Sequence, residues 1–381
     1  MKISSVETIC LSRMHERERM WVTARYRTIK ADCAIVVITA EDGSRGIGEA
    51  CAYGVPTLIA EWVAWLRPLL VGRDIADPAI VPHPNGRSMP FDCAIAGVDI
   101  ALWDLRAQAA GLPLRSLLSP ASHDRVRLYA SSGCRYDWRA RPEQLIEETL
   151  GYLAAGFTAC KVRIGTEWSW DGVTVDRFLA LMRELAGAVD GRLELMLDGN
   201  QRLSEEQALA VAREIERLGF SWLEEPIPQG DVAGYVRLNA AVRMAITGGE
   251  QFTTLEQFRP YLERRAYDIV QPDVGCCGIS EALRIAEMAQ RYGIDVCPHS
   301  WHNGLMAVAH GHYVAALANP RVVELCMIQG PLQWGILSQP PAIRDGFLEL
   351  PKRPGLGVSL APDLGERFPY VEGSYALDVV R

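Results

Sequence analysis

The chain has 381 residues, of which 49% are hydrophobic and 23% are charged. This size and composition suit one large domain with a sizeable core and a smaller second domain. The net charge of -8 argues against nucleic acid as a partner, because binding phosphates requires a basic face. A small molecule is therefore the expected partner.

No segment that would direct the chain into a membrane is predicted. The start, MKISSVETICLSRMHERERM, has only a short apolar stretch that Glu7 breaks, which does not match a signal peptide. No run reaches the ~18 apolar residues that a membrane span needs. We therefore expect a cytoplasmic protein with no membrane partner.

The ten cysteines are scattered from Cys10 to Cys326 and form no CxxC pair. In a cytoplasmic chain of this length, such cysteines are expected to be reduced thiols of the core and loops. We therefore predict no zinc site.

Residues 1–120 are expected to form an α+β domain. The stretch CAIVVITAEDGSRGIGEA contains two apolar runs separated by Asp42 and Gly43, which predicts a β-hairpin. The later stretch FDCAIAGVDIALWDLRAQAAGLP has apolar residues at helical spacing and predicts a helix that ends at Gly111 and Pro113.

From about Val126, short apolar runs alternate with amphipathic helical patterns. Ser204 opens one helix with a capping-box pattern, and Gly293 closes another. We predict eight strands, at 127–131, 157–164, 193–198, 221–225, 245–250, 268–273, 295–299 and 322–326. Eight strands with helices between them indicate a (β/α) barrel over residues 121–350. A doubly wound sheet is the alternative, but no GxGxxG or phosphate-loop pattern follows a strand. The Pro- and Gly-rich residues 351–381 are expected to pack back on the first domain.

Titratable side chains occur at the ends of successive predicted strands. From Asp198 onward they recur every 23 to 26 residues, which is the length of one strand, one helix and two loops. Any one of them alone is more often a helix cap or a solvated residue. Together they lie at the C-terminal face, where barrel enzymes build their sites. The set is Lys161, Asp198, Glu224, Glu250, Asp273, His299 and Glu324.

Asp198, Glu224 and Glu250 follow three adjacent strands, so their carboxylates should converge. Three such charges repel one another and raise their own pKa values unless a cation lies between them. Because the ligands are all oxygens, we predict Mg²⁺.

Asp273 and His299 also follow adjacent strands, where the aspartate can fix the imidazole tautomer and orient the histidine as a base. Lys161 and Arg163 lie two apart on one strand and so point to the same face. Buried cations need an anion, so we expect a substrate carboxylate between Mg²⁺ and Lys161.

With these motifs in this order, the chain resembles the enolase superfamily and, within it, the mandelate racemase subgroup. The resemblance rests on the helix AIAGVDIALWDLRAQAAGLPL and on KVR, LDGN with Asn200, EEP, GGE, QPD and PHSW. It implies a capping domain, a (β/α)7β barrel, and Mg²⁺ held by Asp198, Glu224 and Glu250. It also implies removal of the proton α to a carboxylate, and a homo-oligomer, either a dimer or an octamer.

Abstraction of that proton creates an ene-diolate, whose charge Mg²⁺ and Lys161 would oppose, and to which Glu324, if protonated, could donate a hydrogen bond. Arg163 departs from the pattern, because the racemases carry a lysine there as a second base. Arginine stays protonated, which disfavours a two-base racemase. One-base chemistry through His299 predicts dehydration of an aldonic or aldaric acid to a 2-keto-3-deoxy acid. A lactone cycloisomerase and a racemase or epimerase of a 2-hydroxy acid remain alternatives.

Two further readings stay open: a binding protein without activity, and a hydrolase that uses the metal alone. The intact base and Lys161 positions favour proton abstraction over both. The candidate substrate contacts lie in loops, where residues are also commonly just solvated. They are Asn200, Arg135, Tyr53, His302 and Trp301, with His15 and Arg25 as weaker candidates in the loop 12–27. His310 and His312 lie in a helical pattern and are expected to be packing residues.

Overall fold

The structure is a computed structural model that describes residues 1–16, 20–22, 26–133, 136, 138, 140–164 and 172–378. Arg25 and Arg135 lie outside the described residues. None of the helices in the described ranges has the length and apolar character needed to cross a bilayer.

An antiparallel sheet with strand order β1-β4-β5 forms the N-terminal part. The predicted hairpin is confirmed, because β4 and β5 pair along their length around a turn in which the Ser44 N–H donates to Asp42. A second small sheet joins β2 and β3 to the C-terminal end of the chain. The strands are β1 (Ile3–Met14), β2 (Trp21–Val22), β3 (Tyr26–Thr28), β4 (Lys30–Ala40) and β5 (Arg45–Ala50).

Helices α1 (Pro56–Leu70), α2 (Met89–Ala109) and α3 (Leu114–Leu118) complete this part, and α2 is the helix predicted from the sequence. Gly48 of β5 lets the sheet approach α2 closely, because a Cβ there would lie 2.3 Å from the Gly97 carbonyl oxygen. The apolar pattern of α2 therefore packs directly on the hairpin, as its buried residues show.

The eight predicted barrel strands are all present, which confirms the α/β barrel. From β6 to β12, each strand pairs in parallel with the next, and β13 pairs in parallel with β6 on its other side. They are β6 (Arg125–Ser131), β7 (Ala159–Arg163), β8 (Glu194–Asp198), β9 (Trp222–Glu224), β10 (Ala245–Gly248), β11 (Ile269–Val270), β12 (Asp295–Val296) and β13 (Val322–Cys326).

Helices follow the strands around the outside, giving a (β/α)7β order in the described part of the chain. The capping box at Ser204 and the left-handed Gly293 are both confirmed. The helices are α4 (Gln144–Ala154), α5 (Val175–Val189), α6 (Glu205–Arg217), α7 (Val232–Ala241), α8 (Leu255–Glu263), α9 (Val274–Tyr292) and α10 (Gly304–Ala315).

Strand register places the polar strand ends side by side. Arg163 is the pairing partner of Asp198, and Asp198 is the pairing partner of Glu224. Glu224 in turn pairs with Thr247, three residues before Glu250. Parallel register therefore brings residues that are far apart in sequence to one rim of the barrel.

The residues after β13 return to both parts of the molecule. Leu356 donates its N–H to Asp104 of α2 and accepts a hydrogen bond from His312 of α10. The final strand pairs with β3. The remaining elements are α11 (Pro331–Gly335), β14 (Ile343–Arg344), β15 (Phe347–Glu349), α12 (Leu364–Arg367) and β16 (Ala376–Asp378). The domain boundaries near 120 and 350 stay a prediction.

Candidate active site

Lys161 lies at the centre of the barrel rim. Its Nζ is 2.5 Å from Oε1 of Glu224 and 3.2 Å from Oε1 of Glu324, and none of the three side chains is more than 1% exposed. Burial opposes the charged ammonium, but the two carboxylates outweigh it and raise the pKa of Lys161. The lysine is therefore a fixed positive charge.

Glu324 carries a negative charge in this arrangement. Burial favours its neutral form, but Lys161 and His299 outweigh burial and lower its pKa, while the Ser300 N–H donates to Oε2 at 2.6 Å. A protonated Glu324 that donates a hydrogen bond to the ene-diolate was one expectation from the sequence. The ion pair with Lys161 instead makes it an ionised acceptor here.

Asp198, Glu224 and Glu250 come to the same rim. Asn200 donates to Asp198 from its backbone at 2.8 Å and from its side chain at 2.9 Å, and Gln271 donates to Glu224 at 2.7 Å. In the described residues, the oxygens of these three carboxylates do not all lie within 4.8 Å of one another, so the group is looser than a closed metal site.

The electrostatics of these carboxylates suit a bound cation. Burial, with the charges of Asp198, Glu324 and Glu250 added, raises the pKa of Glu224 to about 7 despite the opposing ammonium of Lys161. Burial and Asp198 likewise raise the pKa of Glu250. Mutual repulsion between buried oxygen ligands is what Mg²⁺ relieves, so the donor set fits that ion.

Asp273 holds His299 by a hydrogen bond of 2.7 Å between Oδ2 and Nδ1. The opposite ring nitrogen, Nε2, lies 3.4 Å from Glu250 and 4.0 Å from Glu324. Burial lowers the pKa of His299, but the three carboxylates outweigh burial and raise it. The Asp273 contact fixes one tautomer and turns Nε2 toward the rim.

Asp273 has further donors. His302 Nε2 lies 2.6 Å from the same Oδ2, and the Gly275 N–H donates to Oδ1 at 2.8 Å. Burial raises the pKa of Asp273, but His302, His299 and His310 outweigh burial and hold it well below its usual range. Asp273, His299 and His302 have ligand atoms within 4.8 Å of one another, and these hydrogen bonds account for that grouping.

Arg163 lies across the rim from His299. Its guanidinium carbon stacks 4.0 Å from the ring centre of Trp301, and its Nη2 lies 3.7 Å from Asp198. The side chain is buried, with 8% of the residue exposed. This stacking holds the cation over an aromatic face, an arrangement that suits arginine better than lysine.

A cavity of about 190 Å³ opens above these groups, and its lining includes Tyr53, Asn200, His299 and Trp301. His302 does not line this cavity. It stacks on Tyr53 with ring centres 5.4 Å apart, and both line a neighbouring cavity of about 30 Å³. Three of the predicted substrate contacts therefore face the larger cavity, and His302 lies behind Tyr53.

His15 lines the smaller cavity. His310 and His312 are completely buried, as expected for packing residues. His310 Nε2 accepts from the Val274 N–H, at the start of the helix that follows Asp273. It therefore supports the position of Asp273 from below.

Several residues of the site were not singled out from the sequence. Glu225 accepts hydrogen bonds from Gln201 and Gly249, and burial together with Glu250 raises its pKa to about 8. Its position beside Glu224 in the EEP motif could have identified it from the sequence. Gln271 donates to Glu224, and its position in the QPD motif beside Asp273 could have identified it in the same way. Tyr375 of the C-terminal segment also lines the larger cavity, and its sequence gave no signal.

Three cysteines that are far apart in sequence form a cluster. The sulfur atoms of Cys51, Cys93 and Cys276 lie within 4.8 Å of one another, and all three residues are buried. The described cysteines are free thiols, as expected. A structural zinc site has four ligands, and this group supplies three.

Two family models match the chain. "Mandelate racemase / muconate lactonizing enzyme, N-terminal domain" matches residues 6–119, and "Enolase C-terminal domain-like" matches residues 144–364. The second match alone spans more than half of the chain, and the order of the two agrees with the order of the sheet and the barrel.

Similar proteins cover nearly the same length. D-galactarolactone cycloisomerase of Agrobacterium fabrum is 28% identical over 95% of this chain and 97% of its own. Arabinonate dehydratase of Saccharolobus solfataricus is 30% identical over 87% of this chain and 89% of its own. The crystal structure of the 3,6-anhydro-D-galactonate cycloisomerase from Zobellia galactanivorans has a TM-score of 0.82 at 28% identity, covering 97% of this chain and 99% of that one. The chain therefore belongs to the enolase superfamily, in the mandelate racemase and muconate lactonizing enzyme family.

Proposed function

We propose that the protein is a lyase that removes the proton α to the carboxylate of an acid sugar and then expels the β-hydroxyl. The product would be a 2-keto-3-deoxy acid. The observation that carries the proposal is the hydrogen bond of 2.7 Å between Asp273 and Nδ1 of His299, which leaves Nε2 facing Glu250 and Glu324 of the rim.

Asp198, Glu224 and Glu250 would hold Mg²⁺, which supplies positive charge to a substrate carboxylate as that group gains negative charge. The raised pKa values of Glu224 and Glu250 support this assignment, because burial and then repulsion by the neighbouring carboxylates disfavour the charged forms, and a cation would offset both.

Lys161 has a single role in this scheme. It stays protonated because Glu224 and Glu324 surround it, so it can face the carboxylate of the substrate as a fixed positive charge. The ene-diolate carries one more negative charge than the substrate, so the lysine stabilises it more strongly than the ground state.

His299 takes the α-proton at Nε2 while Asp273 accepts the hydrogen bond from Nδ1–H. The imidazolium then returns that proton to the departing β-hydroxyl, which leaves as water, and the enol product tautomerises to the keto acid. Arg163 cannot take part in the proton transfer because its guanidinium stays charged. It can bind substrate oxygens from its place over Trp301.

A lactone cycloisomerase is the second candidate. The relative from Agrobacterium fabrum that is named as a cycloisomerase aligns with 95% of this chain, and such a reaction needs the same base with a ring oxygen as the leaving group. The relative named as an arabinonate dehydratase supports the first candidate. A cytoplasmic homo-oligomer stays a prediction.

A panel of aldonic acids, aldaric acids and their lactones, incubated with Mg²⁺, tests the proposal. We expect a 2-keto acid from at least one open-chain acid, and none after the metal is removed with a chelator. Ring opening or closure without a keto acid would favour the cycloisomerase. An absence of product and of α-proton exchange across the panel would contradict both candidates.

A further inference from the structure

Three aromatic side chains separate the larger cavity from its smaller neighbour. Tyr53, Trp301 and Tyr375 line both the cavity of about 190 Å³ above His299 and the cavity of about 30 Å³ behind it. They therefore form the wall between the two spaces, which we call the aromatic wall.

Two members of the aromatic wall are tied to charged residues of the proposed site. Trp301 lies under the guanidinium of Arg163, and Tyr53 stacks on His302, which is bonded to Asp273. A change in either ring would disturb the proposed chemistry. Tyr375 is carried by a different part of the chain, the segment that follows α12.

The backbone holds Tyr375 in place from both sides. Its carbonyl oxygen accepts the Ile29 N–H at 2.8 Å, and the next residues form β16 against β3. Val371 lies four residues before Tyr375, and its carbonyl oxygen accepts a hydrogen bond of 2.5 Å from Lys30 Nζ. These contacts fix the direction in which the ring leaves the backbone.

Gly54 provides the space for the ring. Its φ of +81° is accessible to glycine, and a Cβ there would lie 2.1 Å from Cδ1 of Tyr375. The ring therefore packs directly on the backbone of the loop that carries Tyr53, and it closes the wall on that side.

The smaller cavity has several charged side chains in its lining. They are Lys30, Asp32 and Glu49 from the N-terminal sheet, together with the imidazole of His302. Such groups suit hydroxyl groups, which can donate to carboxylates and accept from an ammonium. An additional hydroxylated carbon would find partners there if the wall were open.

We propose that Tyr375 determines the length of the acid sugar that the enzyme accepts, by closing the larger cavity on the side of the smaller one. This inference rests on the proposed function. Removing the ring joins the two cavities, so an acid longer than the natural substrate gains a place for its distal hydroxyl group.

Tyr375→Ala tests the proposal with aldonic acids of five, six and seven carbons. We expect the ratio of kcat/KM for the longest acid to that for the shortest to rise by about tenfold or more, since one extra carbon in a shaped pocket typically changes kcat/KM by that factor. Tyr375→Phe keeps the ring and should keep the wild-type ratio.

Tyr370→Ala is the matched control, because Tyr370 lies on the same segment under Lys30 and lines neither cavity. It should leave the length preference unchanged. A wild-type ratio in Tyr375→Ala, or an equal loss for all lengths, would overturn the proposal. If Tyr375→Ala does not fold, Tyr375→Leu makes the same test, because the smaller side chain still opens part of the wall between the two cavities.

Failure of the proposed function has a different signature. In that case the wild-type protein forms no keto acid from an acid of any length. The length preference is then measured as binding, from the rise in unfolding temperature that each acid causes. Tyr375→Ala must then shift the binding preference toward the longer acid, and an unshifted preference contradicts the inference.

Discussion

At the scale of single residues, the site pairs two cationic groups that differ in what they can do with a proton. His299 has a ring nitrogen that can take up and release a proton, although the surrounding carboxylates raise its pKa, whereas the guanidinium of Arg163 keeps its proton. The two side chains extend from β7 and from the loop after β12, on different sides of the rim. Under the proposed function, the protein would present a base to one face of a bound substrate.

This asymmetry predicts that one C2 epimer of the substrate loses its α-proton and the other does not. Each epimer is incubated with the enzyme and Mg²⁺ in D₂O, and deuterium at C2 is followed by proton NMR. Exchange in the epimer whose α-proton faces His299 is expected. Comparable exchange in both epimers would show that Arg163, or a group it positions, acts as a second base.

The residues of the candidate site differ in how far the sequence predicts them. Asp198, Glu224 and Glu250 could be found because parallel strands end at one rim, so chain spacing alone brings them together. The ionised state of Glu324 could not be predicted from the sequence, because it depends on the 3.2 Å contact with Lys161. Tyr375 could not be found either, since its place depends on a strand pairing over a long stretch of sequence.

At the scale of secondary-structure elements, one contact joins the N-terminal sheet to the barrel at the start of α10. Glu49 of β5 accepts hydrogen bonds from the backbone N–H of Asn303 at 3.1 Å and of Met306 at 2.9 Å. The Asn303 side chain donates to it as well, at 2.9 Å. A buried carboxylate at a helix N-terminus satisfies N–H groups that lack partners inside the helix.

Glu49→Gln should therefore lower the free energy of unfolding by about 1–3 kcal/mol, because the amide cannot accept all three hydrogen bonds. Urea denaturation measures the loss. Glu41→Gln is the matched control, since Glu41 is exposed and its contact with Lys2 uses the backbone alone. Equal stability of the two variants would show that the Glu49 contacts contribute little.

His312 predicts a pH dependence of stability. Burial, with Arg115 nearby, lowers its pKa to about 4 from the usual 6.5, while its Nε2–H donates to Leu356. Because the folded value lies below the unfolded one, the contribution is complete above pH 6.5 and is lost as the pH falls toward 4. The loss is about 3 kcal/mol for a shift of this size.

His312→Gln tests this pH dependence, because glutamine can donate and accept but does not titrate. Unfolding midpoints from pH 7 down to pH 4 should fall less steeply in this variant than in the wild-type protein. His123→Gln, at an exposed position, serves as the control. Parallel pH profiles for wild type and His312→Gln would contradict the assignment.

The helices and strands themselves were largely predictable. Alternating apolar runs gave all eight barrel strands, and Gly293 gave the end of α9. Helix α9 begins directly after Asp273, which caps it, and is interrupted at Gly278, where the chain turns with a φ of +80°. A kink of this kind depends on the close approach of Asp99, which periodicity does not reveal.

At the scale of the whole molecule, burying the proposed metal ligands in the barrel lowers the stability of the metal-free protein. Burial and neighbouring charges raise the pKa of Glu250, so its ionised form destabilises the folded chain at neutral pH. A bound cation offsets that cost and also stabilises the fold by mass action. Metal binding and stability are therefore expected to be coupled.

Mg²⁺ should raise the unfolding temperature of the wild-type protein, with a stabilisation of about 2.7 kcal/mol at one hundred times Kd. In Glu250→Gln the rise should be much smaller, and without Mg²⁺ this variant should be at least as stable as the wild type. Glu206→Gln, on the exposed side of α6, should respond like the wild type. Equal Mg²⁺ responses in all three proteins would contradict the ligand assignment.

The most direct test of the account is α-proton exchange in D₂O, with Mg²⁺ and the substrate found in the panel, for wild type and His299→Asn. The account predicts exchange or elimination in the wild type and a loss of about 10²–10⁴-fold in the variant, the usual contribution of a positioned base. His83→Asn, at an exposed histidine, should keep wild-type rates. Wild-type exchange in a folded His299→Asn protein would mean that another residue removes the proton.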